Sequence, residues 1–160
     1  GGIGVLTFVS LVVIGYFLLQ RKTTIAAFVL IAVVGGLVFS HFFKWQFGRA
    51  RPDLVPHGSH VYTASFPSGH AMMSAATYLT LGALLARVHA QRRLKAYFLF
   101  LAALLSLTVG VSRVYLGVHW PTDVVAGWTL GASWAILCWI TARYMQRRGE
   151  LETASGDPPP

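Results

Sequence analysis

Five blocks of almost unbroken apolar residues limit what this chain can fold into: roughly Ile3–Leu19, Thr24–Phe43, Ala71–Ala86, Ala96–Val111 and Val124–Tyr144. Each is near the ~20 residues that a helix needs to cross ~30 Å of hydrocarbon. The blocks are apolar all round rather than striped, so a water-soluble bundle would lack polar surface to cover them. Charged residues make up 11% of the 160-residue chain, against about a quarter in a soluble domain. The expected fold is therefore all-α, a polytopic transmembrane bundle with five helices in this chain. The first block has no basic leader and no cleavage site ahead of polar sequence, so it reads as a helix and not as a signal peptide. The chain begins at Gly1 without a methionine and reads as a fragment with at least one upstream helix missing. Residues 1–148 form the membrane domain and 149–160 a polar, Pro-rich tail expected to be disordered.

The net charge of +8 is distributed by position. Arg21 and Lys22 lie in the first connection. Arg87, Arg92, Arg93 and Lys95 lie in the third, and Arg143, Arg147 and Arg148 follow the last block. If each block crosses the membrane, all nine fall on one face, which the positive-inside rule makes cytoplasmic. This pattern argues for a membrane surface and against nucleic acid. It places the C-terminus inside and the other two connections outside, as in a bacterial inner-membrane protein. Cys138 stands alone in an apolar helix, which excludes a disulfide framework. Gly127 and Gly131 form a small-xxx-small pair, expected to pack helices closely within the bundle, with dimerisation the lesser option and the oligomeric state open.

Lys44, Arg49, Arg51 and Arg113 fall on the opposite, outward face and need another reason. With them lie Ser68, Gly69, His70, Ser112, His119 and Asp123. Isolated charges near hydrocarbon are expensive, so such a group points to a site. Arginine offers a planar fork to phosphate and lysine a point charge. The stretch Pro67-Ser-Gly-His70 adds a glycine that allows close backbone approach and a helix N-terminus that favours anions. His119 and Asp123 are four apart and would share a helical face. A carboxylate holding one imidazole nitrogen leaves the other as a nucleophile. His70, from another helix, could protonate a leaving oxygen. Singly, each residue has a plainer explanation: cations snorkel to headgroups, and a histidine at a helix end, such as His41, is usually structural. His57 and His60 read as solvated loop residues, and Trp45 and Trp120 as interfacial. Pro121 suits the first position of the last helix.

Three segments together resemble the motifs of the type 2 phosphatidic acid phosphatase superfamily. Lys44, six residues, then Arg51-Pro52 matches the first. Pro67-Ser68-Gly69-His70 matches the second. Ser112-Arg113, five residues, His119, three residues, Asp123 matches the third. All three stand in order with intact spacing. The resemblance covers residues 44 to 123 and implies the six-helix membrane branch of the family, related to the vanadium haloperoxidases. It implies that His119 attacks phosphorus, Asp123 orients it and His70 protonates the leaving group. Lys44, Arg51, Ser68, Gly69 and Arg113 would hold phosphoryl oxygens, with Arg49, Pro52 and Ser112 as supporting residues behind them. It further implies no metal and no cofactor, with vanadate as an inhibitor. The expected activity is metal-independent hydrolysis of a lipid phosphate or pyrophosphate at the outer face, with undecaprenyl pyrophosphate and phosphatidate-type lipids as candidates. A lipid phosphotransferase, or a non-catalytic anion- or lipid-binding protein or transporter, remains the alternative from sequence.

Overall fold

The computed structural model describes residues 2–52 and 64–148. His57, His60 and the tail from 149 onward lie outside the described residues. The described residues form five helices: α1 (Ile3–Leu19), α2 (Thr23–Phe47), α3 (Gly69–Val88), α4 (Arg92–Tyr115) and α5 (Pro121–Arg147). The fold class is all-α, and the helices follow the five apolar blocks. Three of them, α2, α4 and α5, are long and apolar enough to cross a membrane. They overrun their apolar blocks at the end that carries the three motifs. At about 1.5 Å per residue, the 25 residues of α2 span roughly 38 Å, more than the ~30 Å hydrocarbon layer. Lys44 occupies the last turn of α2.

α3 differs from its neighbours. It packs most extensively against α4 and α5 and also touches α1 and α2, so it is the central helix. Most of its buried residues are small or polar, Ala71, Ser74, Ala75, Ala76, Thr77, Thr80 and Ala86, with Met72, Met73 and Leu81 as the large ones. Leu85 is the one large hydrophobic residue of its described side chains that is exposed, whereas α1, α2, α4 and α5 each expose several. A helix shielded by protein need not be lipophilic, and small residues let neighbouring backbones come close. Ser74 satisfies its hydroxyl on the Ala71 carbonyl at 3.0 Å. α3 therefore carries fewer large apolar residues than a lipid-facing span, although the sequence pattern presents it as one more block.

α5 packs against three other helices. A Cβ at Gly127 would come within 2.7 Å of the Ser68 carbonyl oxygen, and one at Gly131 within 2.8 Å of the Ala75 Cβ and closer still to the Met72 carbonyl. These two glycines thus lie against α3 of the same chain. Trp128 sets its indole over Gly110 of α4 and donates Nε1–H to the Ser106 carbonyl at 3.1 Å. Trp134 sets its indole over Gly35 of α2 and donates to the Ala32 carbonyl at 2.7 Å. Each half-buried indole has its N–H paired, and each ring fills a notch that a side chain would close.

The glycines on α5 and α1 separate packing from propensity. Gly131→Val should lower the thermal midpoint of the detergent-purified protein by ~3 °C or more, because overpacking costs about 1–3 kcal/mol. Gly15 has nothing within 4 Å of the position that a Cβ would take, so Gly15→Ala should leave the midpoint unchanged or raise it, helix-interior glycine costing roughly 0.5–1 kcal/mol. Thermal melts of the two variants beside the parent check both signs.

Candidate active site

The site is built where three backbone segments meet. α2 ends at Phe47, and Gly48 takes a left-handed conformation (φ 47°), a helix stop that favours glycine. The chain then runs through Arg49 and Arg51 towards the start of α5. From the far side of the long connection, residues 64–68 return alongside it. The Ser65 amide donates to the Arg49 carbonyl at 2.8 Å, and the Ser68 amide to the Asp123 carbonyl at 2.9 Å. Lys44 Nζ reaches the Ala64 carbonyl at 2.8 Å, and Arg51 Nη1 the Val118 carbonyl at 2.9 Å. Side chains of the first motif therefore reach the backbone of the other two segments.

Asp123 is the centre of the arrangement. It lies in the first turn of α5 and is 0% exposed. Its Oδ1 accepts from Arg49 Nη1 at 2.8 Å. Its Oδ2 accepts from the Ser65 hydroxyl at 2.5 Å and from the Trp120 amide at 2.9 Å. Arg49 also donates to the Thr122 hydroxyl at 2.9 Å and lies over the Trp120 ring, 5.7 Å from its centroid. A buried carboxylate without such partners would cost several kcal/mol.

His119 is 4% exposed and sits in the turn before α5, not on the helix as the four-residue spacing to Asp123 led one to expect. Its Nδ1 lies 3.6 Å from Asp123 Oδ2, beyond hydrogen-bond range, and 3.3 Å from Ser65 Oγ. On the other edge of the ring, Arg51 Nη1 lies 3.3 Å from Nε2. Burial holds the His119 imidazole well below its ordinary value, at about 4, helped by the positive charges of Arg51 and Lys44 and opposed by Asp123. The ring is therefore neutral at neutral pH. Arg51 is itself lowered by burial, with Asp123 opposing.

Of the other residues expected here, Ser68 is the N-cap of α3, its hydroxyl accepting from the Ala71 amide at 3.5 Å. Gly69 faces α2: a Cβ there would lie 3.3 Å from Lys44 Cε and 3.3 Å from Ser40 Oγ. His70, in the first turn of α3, is within electrostatic reach of Arg113, Lys44 and Arg51. Arg113, in the last turn of α4, holds a buried Nε without a hydrogen-bond partner among the described residues. Pro52 is buried at the edge of the described chain. Ser112 turns its hydroxyl back onto the Val109 carbonyl at 2.6 Å, and Arg49, placed behind the site from sequence, pairs directly with Asp123. His41 bonds the Leu37 carbonyl of its own helix at 2.9 Å. Ser65 was missed from sequence. It lies two residues ahead of Pro67, and no spacing rule singles out a loop serine.

The sequence profile of the PAP2 superfamily matches residues 22–147. Phosphatidylglycerophosphatase B of Bacillus subtilis is 35% identical over 112 residues, covering 69% of this chain and 55% of that protein. An undecaprenyl-diphosphatase of Sulfolobus acidocaldarius is 32% identical over 120 residues, covering 72% and 53% respectively. The chain thus spans about half the length of the curated relatives it matches. The crystal structure of the transmembrane PAP2-type phosphatidylglycerolphosphate phosphatase from Bacillus subtilis superposes with a TM-score of 0.81 at 29% identity, over 91% of this chain and 73% of that one.

The neutral, buried imidazole gives a signed pH dependence. Because its folded value is depressed, the unfolded chain binds more protons between about pH 6.5 and 4. Stability contributed at higher pH is lost as pH falls through that window. His119→Asn should therefore flatten the fall of the thermal midpoint between about pH 6.5 and 4 relative to the parent, measured by melts across a pH series.

Proposed function

The chain belongs to the PAP2 superfamily, and on that premise we propose that it is an integral-membrane lipid phosphatase that works through a phosphohistidine. The observation that carries this reading is the setting of His119: buried, 3.3 Å from the Ser65 hydroxyl at Nδ1 and 3.3 Å from a guanidinium at Nε2, a setting in which burial and the nearby cations favour the neutral ring. A neutral imidazole with a held Nδ1–H presents its Nε2 lone pair to an electrophile.

In the proposed reaction a phosphate group displaces Arg51 from Nε2 and takes up its donors. Lys44, Arg51 and Arg113 gather the phosphoryl oxygens, and Arg113 Nε, buried and without a partner among the described residues, is one donor ready for them. The open N-terminus of α3 at Gly69 and His70 adds helix-dipole attraction. These fixed donors hold the charge that spreads over the oxygens in flight. His119 Nε2 bonds to phosphorus, and the ester or anhydride oxygen leaves with a proton from His70, an imidazole that burial and the nearby cations hold low, at about 4, and that takes up its proton once the negative charge of the phosphate offsets those cations; water then cleaves the N–P bond.

No metal or cofactor is assigned to the reaction. Asp123, the one carboxylate among the described residues of the site, is already engaged by Arg49, Ser65 and Trp120, a donor-rich setting that suits an anion better than a cation. Vanadate, which mimics phosphate in flight, should inhibit. The substrate proposed is a lipid phosphate or diphosphate with its headgroup at the interface and its tail in the bilayer, undecaprenyl pyrophosphate or a phosphatidate-type lipid. The named relatives support that class. The basic residues at the far end of the bundle support a site facing the periplasm or exterior and a cytoplasmic C-terminus, as in a bacterial inner membrane.

The experiment is phosphate release by the full-length protein in detergent with EDTA, offered undecaprenyl pyrophosphate, phosphatidate and phosphatidylglycerophosphate in parallel. Release should survive EDTA and vanish in His119→Ala. Arg51→Lys should lower kcat/KM about ten- to hundredfold, since a charge-assisted hydrogen bond is worth about 1.5–3 kcal/mol. Release that EDTA abolishes would sink the metal-free reading, and the preferred lipid names the substrate.

A further inference from the structure

Asp123 and His119 approach within ion-pair range but not within hydrogen-bond range. Oδ2 lies 3.6 Å from Nδ1, and Ser65 fills the gap, its hydroxyl donating to Oδ2 at 2.5 Å while its oxygen lies 3.3 Å from Nδ1. A hydroxyl has one hydrogen and two lone pairs. With that hydrogen committed to the carboxylate, the oxygen can only accept from the ring. Nδ1 must then carry the hydrogen and Nε2 the lone pair. Arg51 imposes the same tautomer from the opposite edge, because a guanidinium has donors only and its Nη1 lies 3.3 Å from Nε2.

The serine is placed firmly enough for this task. It is 0% exposed, and its amide is held by the Arg49 carbonyl at 2.8 Å. The O–H···O distance falls in the short range of charge-assisted bonds.

We propose that Ser65 is a positioning residue for the nucleophile: it links Asp123 to His119, fixes the Nδ1–H tautomer and conveys the carboxylate's charge to the imidazolium. The proposal rests on the phosphohistidine reading above and deepens it. As Nε2 bonds to phosphorus and the P–O bond breaks, the leaving oxygen takes its proton from His70. The ring becomes an N-phosphoimidazolium and keeps its Nδ1 hydrogen, which Ser65 Oγ accepts. No proton passes along the Ser65–Asp123 bond. In the second half, water oxygen bonds to phosphorus, the N–P electron pair returns to Nε2 and the water proton restores His70.

The test is a double-mutant cycle in the full-length protein: Ser65→Ala, Asp123→Asn and the pair, with Ser65→Cys and His119→Ala alongside. Phosphate-release kcat and KM are read with thermal midpoints. Ser65→Ala should lower kcat about ten- to hundredfold with KM within about twofold, while in the Asp123→Asn background the same change should cost less than about threefold. Ser65→Cys, which keeps a small side chain with a weak hydrogen-bond donor, should fall between Ala and the parent. A Ser65→Ala kcat within about twofold of the parent, or an equal loss in both backgrounds, would overturn the proposal. Failure of both Ser65 variants to give folded protein would also overturn it, making Ser65 a residue of the fold alone. Phosphate release persisting in His119→Ala would instead overturn the phosphohistidine reading and this inference with it, an outcome distinct from the Ser65 results.

Discussion

The buried carboxylate of Asp123 is the constraint on which the rest of the site depends. A charge with no solvent must be met by donors on every side or it neutralises. Here the donors come from separate stretches of chain: Arg49 from beyond α2, Ser65 from the return of the long connection, and Trp120 from the turn before α5. Its own backbone carbonyl accepts from Ser68 at the head of α3. Removing any one donor would leave the others holding an under-satisfied ion. The segments therefore converge as a set, and His119 and Arg51 inherit their places from that convergence.

The surroundings make this arrangement workable. α3 carries Ser68, Gly69 and His70 to the site, yet little of its surface meets lipid. The four outer helices supply the large apolar side chains that a bilayer requires, which leaves α3 able to use alanine, serine and threonine. Those small residues let α4 and α5 approach closely. Polar chemistry is thus lodged on the helix that the others insulate.

Much of this was legible in the amino-acid order. Hydrophobic blocks are long-range signals that survive any packing, so five helices could be read within a few residues of their ends. The three motif segments could be read because spacing and residue type together are improbable by chance. Other features were not legible. The four-residue interval between His119 and Asp123 implied a shared helical face, but Pro121 opens α5 only after His119, and the pair meets across a turn. Ser65 left no spacing signature. Gly35 and Gly110 look like ordinary small residues of apolar helices, and only three-dimensional pairing with Trp134 and Trp128 gives them a purpose. The roles of Arg49 and Ser112 depend on rotamers, which no pattern encodes.

The two indoles and two glycines of α5 have a mechanical consequence. Trp128 and Trp134 are six residues apart in the sequence, which at about 100° per residue sets them about 120° apart around the helix. One is keyed into α4 and the other into α2, while Gly127 and Gly131 bed against α3. These contacts occupy about one third of the helix circumference and tie α5 to three neighbours at once, which resists rolling of its first turns. Asp123, one turn ahead of Gly127, then takes its position from contacts made further along the helix, away from the site itself.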